Sequence, residues 1–227
     1  TPKGIFYKAN DFYEKAKYDD AIREYKKLLE RGLEDGNLYY NLGNAYFKKG
    51  ELGEAIVNYE RAKRLIPRDR DLEANYKHAG SLVKGKGAPF KKIWILRLLD
   101  NFFNSFTLNT MTIMISLLYL AIALTIIVGV VLRIPRMQKV LVLVILGGLF
   151  LVNAVFLRNR ISLLNKEAIA IKEKADVRFG PFQRATTHFT LYEGTKVEVL
   201  SRKDEWAKVR RPDGKVGWVK SDTLEMI

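Results

Sequence analysis

Two stretches without a single charged residue constrain this chain more than anything else in it. They run from Asn101 to Leu132 and from Val140 to Leu157. A helix crossing the hydrocarbon core of a bilayer needs about 20 apolar residues. The first run exceeds that length, and the second is just long enough. Arg133, Arg136 and Lys139 lie between them, and Pro135 breaks the helix in the turn. A soluble helix of this length would carry a polar face, and neither run has one. The pattern predicts a membrane hairpin, with spans at 107–132 and 140–157 joined by a short basic loop at 133–139.

Two small soluble domains, at 1–87 and 168–227, flank the hairpin. The chain of 227 residues has a net charge of +14, which would fit a nucleic-acid partner. The distribution argues against one. Residues 1–87 carry 18 basic against 14 acidic side chains, and residues 167–227 carry 12 against 10. Residues 88–166 carry 9 against Asp100 alone. Most of the excess borders the spans, where lysine and arginine anchor to headgroups of the lipid bilayer. A nucleic-acid protein concentrates its charge in a folded domain. There is no cysteine, which removes disulfides, thiolate catalysis and thiolate zinc sites. Thr1 stands where a nascent chain has Met. Removal of a secretory signal would leave such a start, and so would trimming.

The N-terminal segment repeats itself. YDDAIREYKKLLE and LGEAIVNYERAKR place Ala21 and Ala55 34 residues apart, with Tyr25 matching Tyr59. That period, with small and aromatic residues at fixed offsets, is the tetratricopeptide signature. Tyr39, Leu42, Gly43, Tyr46, Ala55, Tyr59, Ala62 and Pro67 fill it in the second copy. The first copy, with Ile5, Lys8, Ala9, Phe12, Ala21, Tyr25 and Leu28, is looser. RDRDLEANYKHAGSLVKGK reads as a capping helix over the face the second repeat leaves open. The signature residues build the fold, so ligand contacts are sought on the concave face. Phe6, Asn10, Tyr13, Asn37, Tyr40, Asn41, Asn44 and Phe47 are the candidates. Carboxamides there bond an extended peptide backbone, and rings hold its side chains. Some tetratricopeptide domains hold C-terminal carboxylates through a lysine–asparagine clamp. Phe6 stands where its first lysine belongs, so that activity is not expected.

Residues 88–106 read as a helix lying in the bilayer interface. Ile93, Leu96, Leu99 and Phe103 fall at helical spacing, with Lys91, Lys92 and Arg97 among them. The alternative is a core helix packed on the repeats. Asn109 or Thr107 caps the first span. Residues 158–167 continue the second span as a linker helix and turn into a strand near Ala168. From there the pattern has period two, and Asp213-Gly214 marks a hairpin. Short strands with turn signals at this spacing imply a small barrel.

ADVRFGP, then LYEGTKVEVLSRKDEWAKVRRPDGKVGWV, then DTL, resembles the bacterial SH3-like domain. The likeness rests on Val177-Arg178, Gly180-Pro181, Glu193-Gly194-Thr195, Val197, Val199, Trp206, Asp213-Gly214 and Gly217-Trp218-Val219. It implies a domain commonly found outside the cytoplasm that often binds cell-wall peptides or protein segments. Phe182, His188, Phe189 and Tyr192 are candidates for a surface groove. Trp206 and Trp218 are read as barrel core and rim.

The fold class is therefore a multidomain membrane protein: an all-α tetratricopeptide repeat, a two-helix transmembrane hairpin and an all-β SH3-like barrel. That order, carried by YYNLGNAYFKKGELGEAIVNYERAKRLIPRD and EGTKVEVLSRKDEWAKVRRPDGKVGWV, resembles the BatE family of the aerotolerance operon. The resemblance implies a non-catalytic inner-membrane scaffold with both soluble domains periplasmic. It implies membrane-anchored von Willebrand A domain partners of the BatA and BatB types, together with BatD. A cytoplasmic MoxR-type AAA+ ATPase is implied too, indirectly. Basic residues flank both sides of the spans, so counting them does not decide topology. A different class of reading makes the chain a peptidoglycan-binding anchor or sensor acting through the barrel. A third makes it an accessory of an ion or solute transporter, with Gly147 and Gly148 allowing close helix contact.

No catalytic constellation emerges. The two histidines, His78 and His188, lie in different domains, and nothing pairs either with a nucleophile. HExxH, GxSxG and P-loop patterns are missing. Gly85-Lys86-Gly87 reads as a linker and Asp19-Asp20, Asp69 and Asp71 as turn and cap residues. No catalytic residue, cofactor or metal site is expected. The spans hold no acid, base or histidine for an ion pathway.

Overall fold

The computed structural model describes residues 1–85, 87 and 93–227. The chain forms two compact units, one made of Thr1–Ile93 with Leu164–Ile227 and the other of Trp94–Leu163. The hairpin unit is therefore an insertion whose two ends both return to the first unit. Any bilayer crossed by both of its long helices has the repeats and the barrel on one side.

Five helices make the repeat part: α1 (Pro2–Glu14), α2 (Tyr18–Glu30), α3 (Gly36–Lys49), α4 (Leu52–Leu65) and α5 (Arg70–Leu82). Local chemistry sets their ends. The Asp35 carboxylate accepts from the backbone N–H of Asn37 and Leu38 at the start of α3, and Gly50 ends that helix at a φ of 92°. Asp69 caps α5 through the Leu72 N–H. Pro67 lies between α4 and α5. Gly43 is where two helices touch: a Cβ there would stand 2.7 Å from the Tyr59 ring. The loose first copy still folds as a complete pair, with Ala9, Ala21, Tyr25 and Leu28 buried.

Seven antiparallel strands follow the insertion: β1 (Glu167–Ala170), β2 (Lys174–Arg178), β3 (Thr187–Tyr192), β4 (Lys196–Lys203), β5 (Trp206–Arg210), β6 (Val216–Lys220) and β7 (Leu224–Met226). Their order in the sheet is β3-β2-β6-β5-β4-β1-β7. Val177, Leu191, Val197, Val209 and Val219 fill the interior. Gly214, with a φ of 86°, makes the turn after Asp213.

The repeats and the barrel, read from the sequence as two flanking domains, pack as one body. Ile169 of β1 and Ile227 join the core of the repeats. Helix α4 is buried without interruption from Ala55 to Glu60. The Gly53 N–H donates to Glu193 Oε1 at 2.7 Å, and a Cβ on Gly53 would strike Ile171 Cα at 2.8 Å. Only a glycine lets α4 come this close to the barrel.

Charge locks the same face. Lys196 lies 3.2 Å from Glu60 and 2.9 Å from Glu167, and Arg64 meets Glu167 at 3.1 Å. Arg61 reaches Glu225 and the Met226 carbonyl, both at 2.7 Å. Burial pushes the Glu60 carboxyl up. Lys196 beside it and the Tyr76 hydroxyl, donating at 2.6 Å, outweigh burial and hold it below the ordinary carboxylate range. Burial works against the charge on Lys196, but Glu60 and Glu167 outweigh it and raise its pKa.

In the hairpin unit, α6 (Trp94–Asn104) leads into α7 (Leu108–Val131) and α8 (Arg136–Leu163). Both long helices are long and apolar enough to cross a membrane. Thr107 caps α7 by accepting from the Thr110 N–H. The expected basic loop is shorter than 133–139, because α8 begins at Arg136, directly after Pro135. A proline at a helix start forfeits no internal hydrogen bond. The expected linker helix 158–167 is the end of α8 itself, which runs to Leu163, and β1 starts at Glu167. The elbow between α6 and α7 is fastened to α8 by Phe103 stacked on Phe156 at 4.3 Å. Arg160 also donates to the Phe106 carbonyl there, at 2.5 Å. Helix α6 belongs to this unit, not to the repeats, and exposes Trp94, Ile95, Leu96, Leu98 and Phe102. The part of the predicted interfacial helix at 88–92, with Lys91 and Lys92, lies outside the described residues, as does Lys86.

Replacing Lys196 by Met strands a buried carboxylate, which costs about 3 kcal/mol. Thermal unfolding of the detergent-solubilised chain should show that loss, and Glu60→Gln combined with Lys196→Met should recover part of it. Because the Glu60 pKa is lowered on folding, its contribution is present above its unfolded pKa. It fades as pH falls below about 4. In Lys196→Met the acid-side loss from Glu60 should be smaller, since burial then acts with less opposition and moves its folded-state pKa back up toward the unfolded value.

Candidate functional site

The concave face of the repeats is lined by α1, α3 and α5. A ladder of carboxamides and phenols runs along it. Tyr25 donates to Asn10 Oδ1 at 2.6 Å, and Asn41 Nδ2 donates to the same oxygen at 3.3 Å. One repeat later Tyr59 donates to Asn44 Oδ1 at 2.7 Å, and Asn75 Nδ2 donates to it at 3.0 Å. Asn75 also donates to the Tyr40 hydroxyl at 2.9 Å. Phe6 packs edge-on to Tyr25, and Tyr40 packs on Tyr59 at the matching place. Burial raises the Tyr25 and Tyr59 hydroxyls well above the usual phenol value, so both stay protonated as donors.

Phe6, Asn10, Tyr40, Asn41 and Asn44 thus bind the fold's own groups. The Asn10 and Asn44 carboxamide oxygens are occupied, so the face offers rings and remaining amide N–H groups to a ligand. Tyr13 lies edge-on to Tyr18, and Phe47 edge-on to His78. Asn37 is exposed at the start of α3, and its backbone N–H is held by Asp35. Asn75 was not among the expected residues. The signal that finds it is its place one repeat after Asn41.

On the barrel the four expected groove residues separate. His188 stacks on Phe179 at 4.3 Å and meets Phe189 edge-on at 5.1 Å. Its Nδ1 lies 3.2 Å from the Val216 carbonyl. The Arg211 guanidinium sits 4.8 Å over the Phe189 ring. Arg211 also holds the Asp213 carboxyl down, to about 2. Phe179 and Phe182 project into solvent, 64% and 57% exposed. Arg178 fastens the loop that carries them by donating to the carbonyls of Gln183 and Ala185. Tyr192 is not part of this patch, because it sits at the far end of β3.

Tyr192 instead shares a cleft with Phe47, which the sequence assigned to a different domain's site. Both line a cleft of about 340 Å³ where the repeats meet the barrel. Leu52 and Leu82 complete its apolar wall, and Lys84, Glu173, Lys174 and Glu193 supply charge. A cavity of this size with apolar walls and a few polar groups is what a bound side chain or small ligand requires. Sequence reasoning divided this site because its walls come from segments on either side of the hairpin in the chain.

Two matches with known families agree with this architecture. Residues 8–70 match the tetratricopeptide repeat family, and residues 173–225 match the bacterial SH3 domain. Over 60 residues, 26% of its length, the chain is 35% identical to Hsp70-Hsp90 organizing protein 2 of Arabidopsis thaliana. The match covers 10% of that protein. The domain content is that of a protein–protein interaction or adaptor chain.

The ladder makes a sharp distinction between fold and ligand contact. Asn44→Ala leaves Tyr59 and Asn75 without their shared acceptor and should cost about 2 kcal/mol in thermal unfolding. Asn37→Ala should leave stability unchanged within about 0.5 kcal/mol.

Proposed function

We propose that this chain is a non-catalytic, membrane-anchored scaffold of the BatE type. The observation that supports it best is the cleft between the modules. Two interaction modules fused into one body, with a binding-sized cavity at their seam, suit the capture of a partner segment rather than chemistry on a substrate. Both modules lie on one side of any bilayer the hairpin crosses, and in this reading that side is the periplasm. The partners are the von Willebrand A domain proteins of the BatA and BatB types and BatD. A MoxR-type ATPase is reached through their own membrane segments, because the hairpin presents only the turn between α7 and α8 on the opposite side. The physiological setting is aerotolerance or a related envelope stress.

The exposed aromatic patch of Phe179 and Phe182 favours a second reading, in which the barrel grips cell-wall peptide. Sugar–peptide polymers are commonly held on such projecting rings. The wall and the scaffold readings differ in which surface matters.

Affinity capture from detergent extracts at native expression should recover von Willebrand A domain proteins. Phe47→Ala or Tyr192→Ala should reduce recovery at least fivefold, while Phe179→Ala with Phe182→Ala should leave it unchanged. The reverse pattern, with loss of sedimentation on purified sacculi, would establish the wall reading instead. Lys203→Cys, probed with an impermeant thiol reagent on intact spheroplasts, should label before lysis. Labelling only after lysis would place the modules in the cytoplasm and remove the proposed partners.

A further inference from the structure

The first long helix carries a feature that spanning a bilayer does not require. Asn109, Thr112, Ser116 and Tyr119 are all exposed. At 100° per residue they fall within an arc of about 80° on α7, and they extend over about 15 Å of its axis. This arc is turned away from the face, centred on Met111, Leu118 and Gly129, that packs against α8. The arc beside it, with Ile113, Leu117, Leu120 and Leu124, is wholly apolar. Tyr119 is 64% exposed and lies at the middle of the 24-residue helix. Tyrosines that meet lipid collect at the two ends of a span, where the hydroxyl reaches headgroups. At mid-span a hydroxyl has no water to bond.

The hydrogen-bond inventory along the stripe is unbalanced in a telling way. Thr112 donates its hydroxyl proton to the Leu108 carbonyl at 3.0 Å, and Ser116 donates its own to the Thr112 carbonyl at 3.1 Å. Both oxygens are left as acceptors. Tyr119 has a hydroxyl donor with no acceptor among the described residues. Among the described residues it makes no hydrogen bond to Ser116 of its own helix, whose hydroxyl is turned to the Thr112 carbonyl. Helical side chains lean toward the N-terminus, so the Tyr119 hydroxyl stands near the height of Ser116.

We infer that this stripe is the contact surface for a second copy of this chain, with Tyr119 of each copy donating to Ser116 of the other. Two copies inserted in the same sense put equal heights face to face. The two-fold axis then makes the bond reciprocal, as in any isologous interface. Ser116 is small enough to let the helices approach. The inference rests on α7 crossing a bilayer. It does not depend on which proteins the soluble modules bind.

The full-length chain, reconstituted in lipid vesicles, tests it. It has no cysteine, so single introduced thiols are unambiguous. Carbonate washing comes first. Release of the chain from the vesicles overturns the spanning reading and this inference with it, whereas retention followed by the results below separates the two. Oxidative crosslinking should give a dimer from Ser116→Cys and none from Leu117→Cys, on the neighbouring apolar arc. Tyr119→Phe keeps the ring and removes only the donor. Fluorescence transfer between labelled copies should show dimerisation weakened about tenfold, the effect of losing two interhelical hydrogen bonds. Equal crosslinking at both positions, a monomer at every protein-to-lipid ratio, or an unchanged Tyr119→Phe dimer each overturns it.

Discussion

The contact between α4 and the barrel is the constraint on which the rest of the first unit depends. Helix α4 is buried on nearly all sides along Ala55–Glu60. Its partners are α3 and α5 within the repeats and β1 and β7 across the seam. A carboxylate in that position is expensive to bury alone. Glu60 is tolerated because Lys196 and Tyr76 complete it from two directions, one from each side of the junction. Lys196 in turn answers to Glu167, which also holds Arg64. The pairs are worth little as a net gain over apolar packing. Their effect is to allow one arrangement of the modules and penalise others. Two repeats and a cap are close to the smallest stable stack, and here the barrel covers a flank that a longer solenoid would cover with another repeat.

Much of this was legible in the residues, and the part that was not has a common cause. The 34-residue period fixed the helical pairs, because its small and aromatic positions answer to geometry within one repeat. The charge-free runs fixed the hairpin for the same reason: the constraint is local. The barrel was visible in alternation and in Asp213-Gly214. The part that Asn10 and Asn44 play within the fold was not legible. Their oxygens are used by tyrosines 15 residues on and by asparagines 31 residues on, and only the stacked helices bring those together. The seam was invisible for a stronger version of that reason. Glu60 and Lys196, or Phe47 and Tyr192, are separated by the whole hairpin, and nothing in either segment's periodicity points to the other.

The insertion of the hairpin into this body has a topological consequence that does not depend on counting lysines. A chain that leaves a packed unit at Ile93 and rejoins it at Leu164 must cross a bilayer an even number of times between them. Where α7 and α8 both cross, the repeats and the barrel share one side whatever the distribution of the flanking lysines and arginines.

Joining two modules through a cleft also couples what they can bind. The walls around Phe47, Leu52 and Leu82 come from the repeats, and those around Lys174 and Tyr192 come from the barrel. A segment seated between them binds only the packed arrangement. Its binding free energy is then added to the stability of the seam. The converse holds with the same magnitude. Any change that opens the seam lowers the apparent affinity by the fraction of molecules left packed. Glu60 and Lys196 lie outside the cleft and touch no ligand held there, yet through the packing of α4 on the barrel they set how much of the protein is ready to receive one.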